Sequence, residues 1–458
     1  MAAPTSVPSA GQAERGRRRA AVSAERSWLR ELPTILNRPL TSYYLLAGST
    51  ALLTTLGLTM VLSSSMVDSY TETGSAFSLF QKQTLAAACG LPLLVLASHL
   101  PVSAFRLVGY PAMLVSVGLL LLTAVRGDAY GSGAVRWLEI AGLTIQASEP
   151  AKLAFALWGA NVLARKEELK QLADWRQLLI PLLPGCGTLV VLVLVGTDLG
   201  TSFVLLATFL ALLWVVGAPG RLLIAMIAMV ASLASIMIAV EPFRLARVTS
   251  FLNPQSDPTD SGFQLLHGLY ALGTGGVVGV GIGDSREKWG FLPHPESDFI
   301  FAIIGEELGL IGTLVVVGLF GVLGYAGLRV AARVSDPFAR LAATAITAWV
   351  TIQAMVNIGT VIGVMPVTGI PLPLVSAGGS ALIPTMVALG ILLALAKSEP
   401  KARAALAARG PSWVQRALSW LGLDLSAMGA GPKRPAAAAQ ATNRSRPTQV
   451  QARRNRRR

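Results

Sequence analysis

Charge is what this sequence lacks. Of its 458 residues only 14% are charged, while 53% are hydrophobic; an ordinary soluble domain carries roughly 25% charged residues. That deficit excludes a water-facing surface over most of the chain and makes lipid its main solvent. Cysteine is nearly absent. Cys89 and Cys186 stand far apart, each inside an apolar run, which excludes a disulfide framework. Histidine is almost as scarce, and His99, His267 and His294 show no metal-ligand spacing. A cleavable leader is not expected: the first apolar run starts only near Tyr43, is long enough to span, and has no convincing cleavage site.

What charge there is sits at the ends. Residues 1–40 and 398–458 hold twenty of the 38 Lys and Arg and five of the 24 acids. The net charge of +14 therefore belongs to two tails, and residues 41–397 are close to neutral. Polybasic segments beside a membrane are drawn to anionic lipid headgroups by about 1 kcal/mol per basic residue. No folded reading module accompanies the charge, so nucleic acid is not an expected partner. From about Gly422 the chain is rich in Ala, Gly, Pro and Arg, a composition that cannot bury a core. A short interfacial helix is expected around residues 413–423.

Apolar runs of about twenty residues can cross the hydrocarbon layer as helices. They fall near 43–64, 79–98, 105–125, 148–164, 177–195, 200–217, 221–240, 299–332, 341–363 and 379–397. The expected fold is all-α, a polytopic bundle of about ten transmembrane helices between a basic N-terminal tail (1–40) and a basic C-terminal tail (398–458). With the N-terminus inside, the inner loops hold Arg106, Arg165, Lys166, Lys170, Arg176, Arg221, Arg329, Arg333, Arg340 and Lys397. The outer loops hold fewer basic residues than acids. This positive-inside bias predicts an even number of spans and both termini in the cytoplasm. One outer connection, 241–297, exceeds fifty residues, a length that is uncommon and often functional. Its glycine-heavy part, 262–283, predicts a re-entrant or surface-lying element, tolerated at membrane depth only against protein or water.

Charged groups within or at the rim of spans are costly and mark candidate sites. Asp298 precedes Glu306 and Glu307, while 308–330 is long enough to span alone, so 298–307 predicts a helical extension at the outer interface. Asp298 reads either as a helix cap or as a catalytic carboxylate opening onto a cavity, where the helix dipole favours its ionised form. At least one of Glu306 and Glu307 should face inward. Glu149 and Lys152, three apart at a helix start, can meet on one face. They are either a structural ion pair or, with Arg136 and Trp137, a polar cavity lining. Asp198, in Gly196-Thr197-Asp198-Leu199-Gly200-Thr201, caps the next helix or lines the same site. Arg244, Arg247, Arg286 and Lys288 are outer-loop cations that suit an anionic ligand such as a diphosphate, or else are solvated charge.

Three blocks carry a family resemblance. The first is Arg247-Val248-Thr249-Ser250-Phe251-Leu252-Asn253-Pro254, followed by Asp257-Pro258 and Ser261-Gly262-Phe263-Gln264. The second is Lys288-Trp289-Gly290-Phe291-Leu292-Pro293 leading to Ser297-Asp298-Phe299-Ile300-Phe301-Ala302 and Gly305-Glu306-Glu307-Leu308-Gly309. The third runs Met365-Pro366-Val367-Thr368-Gly369-Ile370-Pro371 to Ser376-Ala377-Gly378-Gly379-Ser380. Together they resemble the SEDS proteins of the FtsW and RodA type over about residues 43–397. Here Ala377 and Ala381 stand where the family has Tyr and Ser, Gly196-Thr197 where it has Gln-Pro, and Ala147 where it has Pro.

The resemblance implies a ten-span peptidoglycan glycosyltransferase. Such enzymes polymerise lipid II, the undecaprenyl-diphosphate-linked disaccharide-pentapeptide, on the outer face of the bacterial cytoplasmic membrane. Asp298 matches the family's essential carboxylate. The first block is closer to the cell-division branch, FtsW, which implies a septal location and division-complex partners. Gln264, Ser376 and Ser380 join Arg136, Glu149, Lys152, Asp198, Arg244, Arg247, Arg286, Lys288 and Glu306 as candidate substrate-binding residues. A class B penicillin-binding protein transpeptidase is the implied partner, anionic lipids are expected at the basic tails, and a divalent cation, Mg2+ or Mn2+, is a candidate cofactor. A lipid II flippase and a noncatalytic division scaffold are the alternative readings. A flippase needs a polar path reaching both faces, and a scaffold would tolerate loss of Asp298.

Overall fold

Backbone groups in hydrocarbon have no water to pair with, so an apolar run of span length must close its hydrogen bonds on itself as a helix. The computed structural model describes residues 38–127, 136–140, 143–171, 175–240, 249–251, 253, 255 and 262–408. Each of the ten expected runs falls on helix there, although the run 177–195 is interrupted at 180–181. The helices are α1 (Thr41–Thr73), α2 (Ser78–His99), α3 (Val102–Arg126), α4 (Ser148–Glu168), α5 (Trp175–Leu179), α6 (Leu182–Val195), α7 (Leu199–Val215), α8 (Gly220–Val240), α9 (Phe263–Gly275), α10 (Ile300–Arg333), α11 (Pro337–Val361), α12 (Gly379–Lys397) and α13 (Pro400–Ala407). Helix α13 lies within the stretch assigned by composition to the basic C-terminal tail. The expected interfacial helix at 413–423 lies outside the described residues, as do Arg244 and Arg247.

Among the described residues six helices are long and apolar enough to cross a membrane: α1, α2, α3, α10, α11 and α12. Helices α6 and α7 and the first part of α8 are apolar but shorter. Helix α4 is the exception in composition, because it carries charge at both ends and buries Phe155, Leu157, Trp158 and Leu163 within the bundle. A helix enclosed by protein needs no apolar face for lipid. Helices α3, α7 and α11 pack around it, while α10 lies against α1 and α11, and α12 runs along α2. Outward-facing Leu107, Leu114, Val125, Leu314 and Leu328 are exposed, as a lipid-facing surface requires.

Two features position the site. Helix α10 is two helices joined at Gly309, whose φ of 67° and ψ of −164° are open only to glycine. The break separates residues 300–308, which cover most of the expected extension 298–307, from the span proper. The chain after α9 fills it. Val280 N and Gly281 N donate to the carbonyls of Glu306 and Glu307, and Leu310 N donates to Gly276 O. Gly275 packs so close to the Gly305 carbonyl that any Cβ would collide with backbone. The glycine-rich stretch is thus a short helix and a turn seated against protein.

The second feature was not expected in an all-α chain. Trp137–Ile140 and Leu143–Gln146 pair antiparallel as β1 and β2, Trp137 opposite Gln146 and Ile140 opposite Leu143. This hairpin brings Arg136 and Gln146 together just before α4.

Candidate active site

Asp298 closes a strap, Pro293-His294-Pro295-Glu296-Ser297-Asp298, between α9 and α10. Prolines 293 and 295 bar a helix here, and His294 takes a left-handed φ of 52°. Three consecutive carbonyls of the strap are locked. Ala377 N donates to Glu296 O at 2.8 Å, Ser376 Oγ to Ser297 O at 2.6 Å, and Asn357 Nδ2 to Asp298 O at 2.8 Å. The locking loop, 362–378, is itself pinned by amide side chains. Gln83 donates to Ser376 O and accepts from Gly378 N. Gln353 donates to Pro371 O, and Asn357 also to Ile370 O. A backbone tied at this many points holds its side chains with little freedom, as catalysis requires.

Asp298 is not the cap of α10. That position is Phe299, with no side-chain cap bond. Its carboxylate turns instead toward Gly369. A Cβ at Gly369 would lie 3.4 Å from Asp298 Oδ2 and 3.7 Å from Arg136 Nη1, so acid and guanidinium converge on one point. Arg136 Nη2 also donates to Thr197 O at 3.2 Å, which ties the hairpin to the turn before α7. Next to it is a small, half-open cleft lined by Leu120, Thr123, Arg136, Ser148, Leu192 and Asp198 among others. Buried polar atoms without a partner among the described residues gather in this region: Arg136 Nε, Ser148 Oγ, Glu296 Oε2, Asn357 Oδ1 and Thr368 Oγ1. Such atoms call for water or a ligand.

The other candidates separate. Asp198 caps α7, accepting from Thr201 N at 3.0 Å and Thr201 Oγ1 at 2.8 Å, and receives Gln146 Nε2 at 3.3 Å. Glu149 and Lys152 form a buried pair at 2.8 Å. Lys152 also reaches Gln353 Oε1 at 2.7 Å and lies over the Trp349 ring. Lys288 corrects an expectation. It is not an outer-loop cation open to a ligand, because it is 3% exposed and its ammonium is taken up by Glu307, Ser63 and the Gly283 carbonyl. Both Glu306 and Glu307 face inward, Glu306 accepting from Ser285 Oγ and Arg286 N. These two acids hold the turn 283–288 onto α10. The Arg286 side chain is exposed. Gln264 donates to Pro293 O at 3.2 Å and so tethers α9 to the strap. Ser376 is a backbone lock, and Ser380 sits partly buried in the first turn of α12.

Asn357, Gln353, Gln83 and Glu296 were missed by a reading that weighed charge within spans. An uncharged amide in an apolar run is costly without a partner, and that signal would have found the three amides. Glu296 is marked by its place two residues from Asp298.

The family model described as cell cycle protein, FtsW/RodA/SpoVE, matches residues 43–401. A probable peptidoglycan glycosyltransferase FtsW of Mycobacterium tuberculosis is 42% identical over 384 residues, covering 84% of this chain and 73% of that one. Stage V sporulation protein E of Bacillus subtilis is 36% identical over 352 residues, covering 76% and 95%. Among solved structures, a chain of a peptidoglycan synthase complex that coordinates polymerization and crosslinking matches with TM-score 0.61 and 28% identity, over 77% of this chain and 96% of that one. The rod shape determining protein RodA of Thermus thermophilus matches with TM-score 0.57 and 25% identity, over 78% and 97%.

Proposed function

This chain belongs to the FtsW/RodA/SpoVE family of cell cycle proteins, and on that premise we propose that it polymerises lipid II into glycan strands during cell division. It is a multi-pass membrane glycosyltransferase of peptidoglycan synthesis. The observation that carries the mechanism is the convergence of Asp298 and Arg136 beside Gly369.

The reaction joins an acceptor hydroxyl to the anomeric carbon of a lipid-diphosphate sugar. A hydroxyl is a weak nucleophile, so a positioned carboxylate takes its proton as the new C–O bond forms. Asp298 has that role. The bond from the anomeric carbon to the diphosphate breaks, and its electron pair leaves with the diphosphate. Growing negative charge on the leaving group needs a preorganised cation. Arg136, which faces the same point beside Gly369 as Asp298, takes that duty, because Lys288 is occupied by Glu307. One base and one leaving group describe a single inverting displacement. Among the described residues no three His, Cys, Asp or Glu side chains come together as a dedicated metal site.

The flippase alternative needs charges that line a path. The pairs Lys152–Glu149 and Lys288–Glu307 are sealed inside the protein, which favours an enzyme. The loop charges favour cytoplasmic termini, which puts Asp298 on the extracytoplasmic side, at the septum in a dividing cell. A crosslinking partner, a single-span class B penicillin-binding transpeptidase, and other division proteins complete the assembly. The basic tails rest on anionic lipid.

Purified protein in detergent, given lipid II alone, is the test, because polymer formation there requires an enzyme and involves no translocation. Asp298→Asn should abolish polymer while leaving expression and folding near normal. Undiminished polymerisation by that variant would remove Asp298 from the mechanism.

A further inference from the structure

Glu296 stands two residues before Asp298 on the locked strap, and the reaction above gives it no part. Its carbonyl is fixed by Ala377 N, so the side chain cannot leave the neighbourhood of Asp298 without unlocking the strap. Its Oε2 is a buried oxygen with no hydrogen-bond partner among the described residues. An ionised carboxylate there would hold charge on an oxygen that neither water nor a donor reaches, which is costly. A proton on that oxygen removes the cost. The surrounding charge points the same way. From α1 it is faced by Asp68, which has Glu72 beside it, and from its own strap by Asp298 and His294. The loop 362–378, packed on its other side, has no charged side chain.

We propose that Glu296 is a positioning residue for Asp298: a neutral carboxylic acid that keeps the strap at a single negative charge, so that an anionic diphosphate substrate can approach the base. This rests on the glycosyltransferase reading. Burial first, then Asp68 and Asp298, hold the Glu296 carboxyl above the usual carboxylate range, against the opposing pull of its own backbone amide and His294. Two carboxyls sharing one neighbourhood do not both ionise readily. The proton stays on Glu296, whose Oε2 is buried without a donor among the described residues, and the charge stays on Asp298, whose Oδ2 faces the same point beside Gly369 as the Arg136 guanidinium.

The sign of the effect follows. As pH rises through the Glu296 titration, a second negative charge appears beside the site. Like charge repels the substrate's diphosphate, so KM for lipid II should climb by a factor on the order of five, with kcat changing less. In Glu296→Gln that rise should vanish. An infrared titration of the full-length protein in detergent reads the proton without substrate. Wild type should show a protonated-carboxyl C=O stretch, missing from Glu296→Gln, that persists above the ordinary carboxylate range. Asp298→Asn and Asp68→Asn should each make it disappear at lower pH, and His294→Gln at higher pH. Absence of that band, its persistence in Glu296→Gln, or an unchanged KM profile in that variant would each overturn the proposal. So would a folded Glu296→Gln that is inactive at every pH, since it would mean that the charged form is needed. Wild-type protein that makes no polymer but shows the band would sink the glycosyltransferase reading alone.

Discussion

Lys152→Met tests whether the charge pair at the centre of the bundle holds it together. Lys152 Nζ donates to Glu149 Oε1 at 2.8 Å and to Gln353 Oε1 at 2.7 Å. Both side chains of the pair are 1% exposed. With Lys152 replaced, Glu149 Oε1 loses that donor, and its Oε2 already has no partner among the described residues. Gln353 is cushioned, because it keeps Trp349 Nε1 and the Pro371 carbonyl. The damage therefore falls on Glu149, and stranding one member of a buried pair costs about 3–5 kcal/mol. Removing both charges, Glu149→Gln with Lys152→Met, leaves no orphan charge, and such double replacements are often neutral or stabilising. The double variant should recover most of the loss, a coupling on the order of 3 kcal/mol between residues in contact. Heating the four proteins in detergent and measuring by size exclusion the fraction that stays monodisperse gives the cycle. A single variant as stable as the parent, or a double variant that simply adds the two losses, would refute this reasoning. Polymerisation by the same preparations adds a second reading: restored stability without restored polymer would give the charges of this buried pair a part in the reaction beyond holding the bundle together.

Two further substitutions follow from the backbone. Gly309→Ala forces a side chain into a glycine-only conformation costing about 1–3 kcal/mol and presses a Cβ onto Gly279 N and the Val277 carbonyl; it should lower the yield of folded protein and open 276–281 to proteolysis, and a normal yield with normal protection would contradict the packing described. Gly369→Ala places a methyl group between Asp298 and Arg136 at a φ of +68°, a left-handed strain of about 1–2 kcal/mol; polymerisation should fall further than thermal stability does, and full-rate polymerisation would show that this gap is not where the reaction occurs.

Hydropathy alone located ten helices here, because the need to pair backbone groups in hydrocarbon acts on each run of residues separately, whatever lies beside it. An extension ahead of the span was also legible, since the stretch after Glu307 is long enough to span by itself, but the break at Gly309 that sets it off was not; Asp298 was legible as a charge at the rim of a span. Identity of partners was not. Ser63 meets Glu307 across 244 positions, Gln83 meets Ser376 across 293, and no local pattern reports either pairing. Lys288 looked like a free cation until packing put Glu307 beside it. Asp298 read equally as a cap or as a catalytic carboxylate until α10 began one residue too late for a cap. The four-residue strands of the hairpin fell below any hydropathy signal, yet they carry Arg136 to the carboxylate. Sequence thus decided which segments leave water and which side chains are costly there. Only tertiary structure decided which of those charges meet each other and which are left to meet a substrate, because that balance depends on distances between spans remote along the chain.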